Sequence, residues 1–419
     1  MNSEKIWNTN FRMLWVSQFI SIAGLTVLVP LLPIYMASLQ DLSVVEIQFW
    51  SGIAIAAPAI TTMISSPLWG KLGDKISRKW MVLRALFGLG ICLLLMGFCQ
   101  TPLQFVIVRL LQGIFGGVVD ASSAFASSEA PPEKLGAVLG KLQSSVSAGS
   151  LIGPLIGGVL ATLLGFQVLL IGIAIFTFVI CVLGVFLLKE TAHIAITSSQ
   201  KVQTSVRRSI QCLLSSKVTS RFIVVGILAN FAMYGMLTAL APLTSEVNQT
   251  AVDHRAVVGF LQSAFWTASM MSAPLWGYFN DRSYVKSVYI TASVLCGLSV
   301  VLQGISPNVW ILGITRILQG LTYSALIQSV MFVVVNASDQ RLKGTFVGST
   351  NSLLVLGQVL GSLGGAAITS YTQPSMTFIV MGCVFIMSSL VLCSSHIKNQ
   401  KVDLTLMKLW EAKEKRAKA

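Results

Sequence analysis

The chain has 419 residues, of which 54% are apolar and only 11% charged, against about 25% charged in a soluble domain. Together with a mean hydropathy of +0.78, this excludes a water-soluble globule. The formal charge of +14 would suggest nucleic acid in a soluble protein, so the placement of the positive residues decides its meaning.

Apolar runs of about 20 residues, the length a helix needs to cross a bilayer, lie near 11–36, 47–69, 80–99, 103–127, 136–163, 167–188, 222–244, 256–278, 287–305, 309–334, 344–370 and 374–395. In hydrocarbon each backbone polar group must be satisfied internally, so the twelve runs predict helices. They lack the alternation of outer-membrane strands. The N-terminus is polar and leads into a run too long for a cleavable signal. Loops after every second run, with both termini, hold 25 of the 29 Lys and Arg, and the opposite loops hold Arg255 alone. The positive-inside rule then places both termini in the cytoplasm. The charge reports topology and gives no support for nucleic acid. Three arginines remain within runs: Arg84, Arg109 and Arg316.

This pattern divides the chain into a six-helix half at 1–188, a basic cytoplasmic loop at 189–221, a second six-helix half at 222–396 and a basic tail at 397–419. The tail carries Leu404, Met407 and Trp410 among lysines and is read as an amphipathic helix on the inner leaflet or a solvated tail. The seven cysteines stand singly, as small core residues do, and no histidine falls in a run. No Walker loop, serine triad or metal-ligand cluster occurs. Neither an enzyme nor a cofactor is expected.

The two halves repeat. Ser65-Ser66-Pro67-Leu68-Trp69-Gly70 recurs 207 residues later as Ser272-Ala273-Pro274-Leu275-Trp276-Gly277. Asp74 recurs as Asp281, and Arg109, Gln112 and Gly113 as Arg316, Gln319 and Gly320. Two like-oriented repeats imply a pseudo-twofold axis along the membrane normal, with a substrate site at their interface and alternating access by rocking.

After the second run comes Gly70-Lys71-Leu72-Gly73-Asp74-Lys75-Ile76-Ser77-Arg78-Lys79. The acid can face a helix N-terminus, where negative charge is favoured, and the arginine can pair with another acid. Here the chain resembles the major facilitator superfamily, whose corresponding loop reads G-x-L-a-D-r-x-G-r-k. Ser77 stands where that family usually has glycine. The resemblance implies a cytoplasmic gate made of Gly70, Asp74, Arg78 and Glu129. The alternative is a solvated basic turn.

Run four holds Arg109-Leu110-Leu111-Gln112-Gly113, similar to the R-x-x-q-G pattern of proton-coupled members. Arg109, Gly113, Gly116 and Asp120 fall on one face of a continuous helix, which puts Asp120 roughly 16 Å from Arg109. Buried charges in a bilayer are costly and point to function. Asp120 and Arg109 are therefore the expected proton-coupling residues. The alternatives are a structural Arg109 bonded to backbone carbonyls and an Asp120 at a wet cavity mouth. Run five holds Gly149, Gly153, Pro154, Gly157 and Gly158, matching the G-x-x-x-G-P-x-x-G-G motif of drug:proton antiporters. That match implies a seal and hinge favouring export; the alternative is generic close packing of small residues. Pro30-Leu31-Leu32-Pro33-Ile34-Tyr35 in the first run also resembles the twelve-span antiporters.

The resemblance implies an all-α integral membrane protein of the major facilitator fold, with twelve helices in two pseudo-symmetric halves. The implied function is proton-coupled efflux of a small amphipathic molecule, of drug or siderophore type, by alternating access. The protein is expected in the bacterial inner membrane as a monomer, with protons, lipid and a small-molecule substrate as its partners. A proton-coupled importer is the second reading, and an integral-membrane enzyme or sensor the third. Gln112, Asn230, Tyr234, Arg316, Gln319, Tyr323 and Gln328 are the expected cavity residues. One acid there faces two arginines, and a buried cation attracts carboxylates. Citrate-type siderophores therefore fit better than lipophilic cations.

Overall fold

A computed structural model describes residues 3–129, 135–190, 206–337 and 343–393. The expected amphipathic tail lies outside them. The helices are α1 (Ser3–Thr26), α2 (Leu32–Leu39), α3 (Val44–Lys75), α4 (Arg78–Gly97), α5 (Pro102–Phe115), α6 (Val118–Glu129), α7 (Leu135–Leu187), α8 (Val206–Ser215), α9 (Lys217–Val247), α10 (His254–Arg282), α11 (Val285–Gly304), α12 (Val309–Asn336), α13 (Lys343–Tyr371) and α14 (Pro374–Cys393). A short 3-10 turn, Val29–Leu31, joins α1 to α2. Pro30 and Pro33 stand at the second positions of the turn and of α2, within the first turn, where a missing N–H costs nothing.

Polar caps start the helices where the apolar runs begin. Ser43 and Glu46 form a capping box at α3, and Thr101 and Gln104 form one at α5. Asn308 caps α12 by accepting the Ile311 N–H at 3.0 Å. Among the described residues, ten helical stretches are long and apolar enough to cross a membrane. One of them, Val138–Leu187, has 50 residues, about 75 Å if straight, against a hydrocarbon core of about 30 Å. Gly165 (φ +77°) breaks it and divides the expected fifth run from the sixth. α10 covers the expected eighth run and falls outside the ten. Large apolar side chains such as Phe87, Phe176, Phe186 and Ile314 stand exposed, as a lipid-facing surface requires.

The chain forms two compact units, one of Met1–Ser198 with Leu240–Trp266, the other of Ser199–Ala239 with Thr267–Ala419. In the first, α1 and α4 pack on α7, and α3 packs on α5. Its core holds Leu14, Val82, Leu86, Phe125 and Leu142. In the second, α11 packs on α12 and α14, and α13 on α8.

The 207-residue repeat reappears in the helix ends. Shifted by that offset, the limits of α4 are those of α11, the start of α5 is that of α12, and the end of α6 is the end of α12. The equivalence exposes one correction. α12 is a single helix, whereas the fourth run is two, interrupted at Gly116–Gly117. Gly117 has φ +94°, a conformation side-chain-bearing residues rarely adopt. Arg109 and Asp120 therefore do not share one face of a continuous helix: Arg109 is in α5, and Asp120 lies in the first turn of α6.

Candidate functional site

Arg109 is buried on α5. Its Nε donates to the Ala54 carbonyl at 3.0 Å and its Nη1 to Gln112 Oε1 at 2.7 Å. The second unit repeats the arrangement: fully buried Arg316 gives Nη1 to Gln319 Oε1 at 2.8 Å. That oxygen also accepts from Gln303 Nε2 at 3.1 Å, while the Gln319 amide nitrogen lies 3.4 Å from the Met236 sulfur. In each copy the R-x-x-Q spacing puts the glutamine one helical turn from its arginine. The glutamine orients the guanidinium without cancelling its charge. Of the other expected cavity residues, Tyr323 donates to Asn230 Oδ1 at 3.3 Å, and Asn230 donates to the Leu354 carbonyl at 3.4 Å. Tyr234 is half-buried, and Gln328 Oε1 is buried with no hydrogen-bond partner among the described residues.

The break in the fourth run exposes carbonyls at the end of α5 that a continuous helix would satisfy. Side chains from α3 and α4 take them up. Thr62 and Ser65 each donate to the Gly113 carbonyl at 3.1 Å, the Trp69 indole to Ile114 at 2.6 Å, and Arg84 Nη2 to Gly116 at 3.1 Å. A cation at a helix C-terminus is favourable. The Arg84 guanidinium carbon lies 3.6 Å from the Trp69 ring centroid, in cation–π geometry. On the other side of the break Asp120 is exposed and accepts from Ser66 at 3.4 Å. These groups line a cavity of about 220 Å³ that also includes Arg78, Met81 and Gly117. Arg84 and Trp69 were missed as site residues; the trace they leave in the sequence is a lone arginine inside an apolar run and a tryptophan in a repeated hexapeptide.

The glycine motif of α7 has two jobs. A Cβ on Gly149, Gly153 or Gly157 would meet the carbonyls of Phe19, Ala23 and Val27 at 2.8, 2.6 and 2.9 Å, so these three seat α1. Gly158 faces α10, where a Cβ would meet the Arg255 carbonyl at 2.6 Å and the Gly259 Cα at 3.0 Å. The Pro154 carbonyl closes against Gly259 from the same side. Nearby, Thr162 donates to Asp253 Oδ1 at 3.1 Å, and Arg255 Nη1 to the Ala161 carbonyl at 3.1 Å.

At the expected gate, Gly70 and Asp74 fall in the last turns of α3, where the side chains lie outside the described residues. Glu129 is the final residue of α6. Ser77 caps α4, its hydroxyl accepting from the Trp80 N–H at 3.3 Å. The same hydroxyl donates to Glu190, whose other carboxylate oxygen accepts the Arg78 N–H at 3.0 Å. Glycine at position 77 could make neither side-chain bond. Glu190, just past the sixth run, was not foreseen.

The chain matches the Major Facilitator Superfamily over residues 14–251 and 247–400. It is 71% identical to a staphyloferrin B transporter of Staphylococcus aureus over the full length of both chains. It is 29% identical to the multidrug resistance protein MdtG of Escherichia fergusonii, over 90% of this chain and 92% of that one. Its fold resembles that of a bacterial homologue of the human lysosomal transporter Spinster in an inward-facing, occupied conformation. There the TM-score is 0.75 at 10% identity, over 93% of this chain and 97% of the other.

Proposed function

Since the chain belongs to the Major Facilitator Superfamily and is a multi-pass membrane transporter acting on a small molecule, we propose that it exports a small anionic siderophore from the cytoplasm in exchange for protons. The observation that carries this reading is the end-to-end identity of 71% with the staphyloferrin B transporter. The anionic character of the cargo is supported by Arg109, buried with a backbone carbonyl and a neutral amide as its hydrogen-bond acceptors. Twelve crossings, cytoplasmic termini, a bacterial inner-membrane location and a monomeric state complete the proposal. The crossings rest on the apolar runs and the placement of the termini on the charge asymmetry of the loops.

A strain deleted for the gene should secrete less siderophore and retain it inside the cell, as measured by mass spectrometry of medium and lysate. Complementation with this chain should restore secretion. Unchanged secretion by the deletion strain would overturn the reading. For coupling we propose Asp120, the one acid well inside a run. Asp120→Asn should abolish uphill, proton-driven efflux in proteoliposomes while leaving downhill exchange of cargo intact. Concentrative transport by that variant would move the coupling role to another residue.

A further inference from the structure

The repeat supplies an internal comparison for the broken fourth run. At the 207-residue offset, Gly116, Gly117, Asp120 and Arg84 correspond to Tyr323, Ser324, Ile327 and Thr291. The Trp69 bond to Ile114 is kept as Trp276 to Leu321, also at 2.6 Å. The scaffold is thus common to both halves. The glycine joint, the acid and the base belong to one half only, and all four sit around the same cavity.

Arg84 is incompletely used there. Its Nη2 holds the Gly116 carbonyl, while Nε and Nη1 are buried without a hydrogen-bond partner among the described residues. Trp69 covers one face of the guanidinium, so a further partner must approach in the plane of the fork. Nη2 keeps a second N–H beside one of these two nitrogens, so a carboxylate in that plane can take two parallel N–H bonds, one from Nη2 and one from Nη1 or Nε. Asp120 lines the same cavity, but its carboxylate rests on Ser66 and makes no ion pair with Arg84. The Gly113, Ile114 and Gly116 carbonyls are already capped, so they do not present bare negative ends to an arriving anion.

We infer that this cavity is a binding site for a carboxylate group of the cargo, held by Arg84, and that Asp120 is the built-in competitor for the same guanidinium. The identification of the carboxylate as cargo rests on the efflux reading above; the existence of the site does not. Arg84 then selects carboxylate-bearing molecules as they enter from the cytoplasm. Asp120 replaces cargo on Arg84 in a second conformation, which the Gly116–Gly117 joint gives α6 the freedom to reach.

The test uses the purified full chain in detergent, with citrate as the probe and isothermal titration as the readout. Arg84→Thr installs the residue that the second half carries at this place. It should weaken citrate binding at least tenfold, while Arg84→Lys keeps part of it. Asp120→Asn removes the competitor and should tighten binding several-fold, a result that a purely structural role for the pair would not produce. Size-exclusion profiles and thermal unfolding check that each variant is folded. If Arg84→Thr fails that check, Asp120→Asn alone decides. Equal citrate affinity in folded Arg84→Thr and wild type, weaker binding by Asp120→Asn, or no citrate binding by wild type would each overturn the site. Displacement of citrate by phosphatidylglycerol in the same titration would assign Arg84 to lipid phosphate and overturn the cargo assignment. Siderophore secretion by the deletion strain is unaffected by any of these outcomes, so the efflux reading stands or falls separately.

Discussion

Gly153→Ala isolates what the glycine motif of α7 does. The added carbon would sit 2.6 Å from the Ala23 carbonyl oxygen and 3.1 Å from the Ala23 Cα, and closer still to the Thr26 hydroxyl. The hydroxyl can rotate away, but the backbone atoms cannot. Restoring ordinary contact therefore requires α1 and α7 to separate by most of an ångström along a buried crossing. Overpacking of this kind costs about 1–3 kcal/mol, and replacing a mid-helix glycine returns about 0.5–1 kcal/mol. The net cost is roughly 1–2 kcal/mol, a change of about fivefold to thirtyfold in any equilibrium that keeps this contact on one side only. Gly172 is the control, because a Cβ there meets nothing within 4 Å. Thermal unfolding in detergent and export from cells would be measured for both variants. If the contact is needed in only one conformation, export falls more than stability does; if it persists throughout the cycle, stability alone falls. Wild-type stability and export in Gly153→Ala, or equal damage from Gly172→Ala, would refute the reasoning.

The parts of this protein set by hydropathy and by repetition were legible in the sequence. The apolar runs, the charge on their loops and the 207-residue offset all depend on residue type alone, and the helix ends follow that offset. The glycine motif was legible as a close-packing face, but its division of labour between α1 and α10 was not. Gly157 and Gly158 are neighbours in sequence and face different helices, and only the fold names the partner of each. The break in the fourth run was missed for a different reason. Gly116-Gly117 looks like one more small-residue stretch in a membrane helix, and a positive φ leaves no mark on composition. Comparison with Tyr323-Ser324 in the second copy is the signal that could have revealed it. Glu190 was invisible because its partner, the start of α4, lies 112 residues away.

Glu190→Gln keeps the shape of the α4 cap but removes its charge, and should cost about 1 kcal/mol in thermal unfolding, since bonds to charged groups exceed neutral ones; an unchanged unfolding temperature would count against the cap. Arg109→Lys cannot reach the Ala54 carbonyl and Gln112 at once, because an ammonium lacks the guanidinium fork. It should destabilise by about 1–3 kcal/mol, the penalty for stranding a buried polar partner, and equal stability would show that the fork is dispensable. Gly117→Ala tests the joint itself. A methyl there meets nothing within 4 Å, so packing cannot be the cause of any effect. What remains is the φ of +94°, which costs a side-chain-bearing residue about 1–3 kcal/mol. The chain can relieve that strain by closing the break toward the continuous helix seen in α12. The carbonyls of Gly113, Ile114 and Gly116 would then return to helical partners, and Arg84 and Trp69 would lose the acceptors that hold them. Gly117→Ala should therefore impair export, with a loss of stability no larger than about 1–3 kcal/mol. Full export by a folded Gly117→Ala protein would show that the break plays no part in transport.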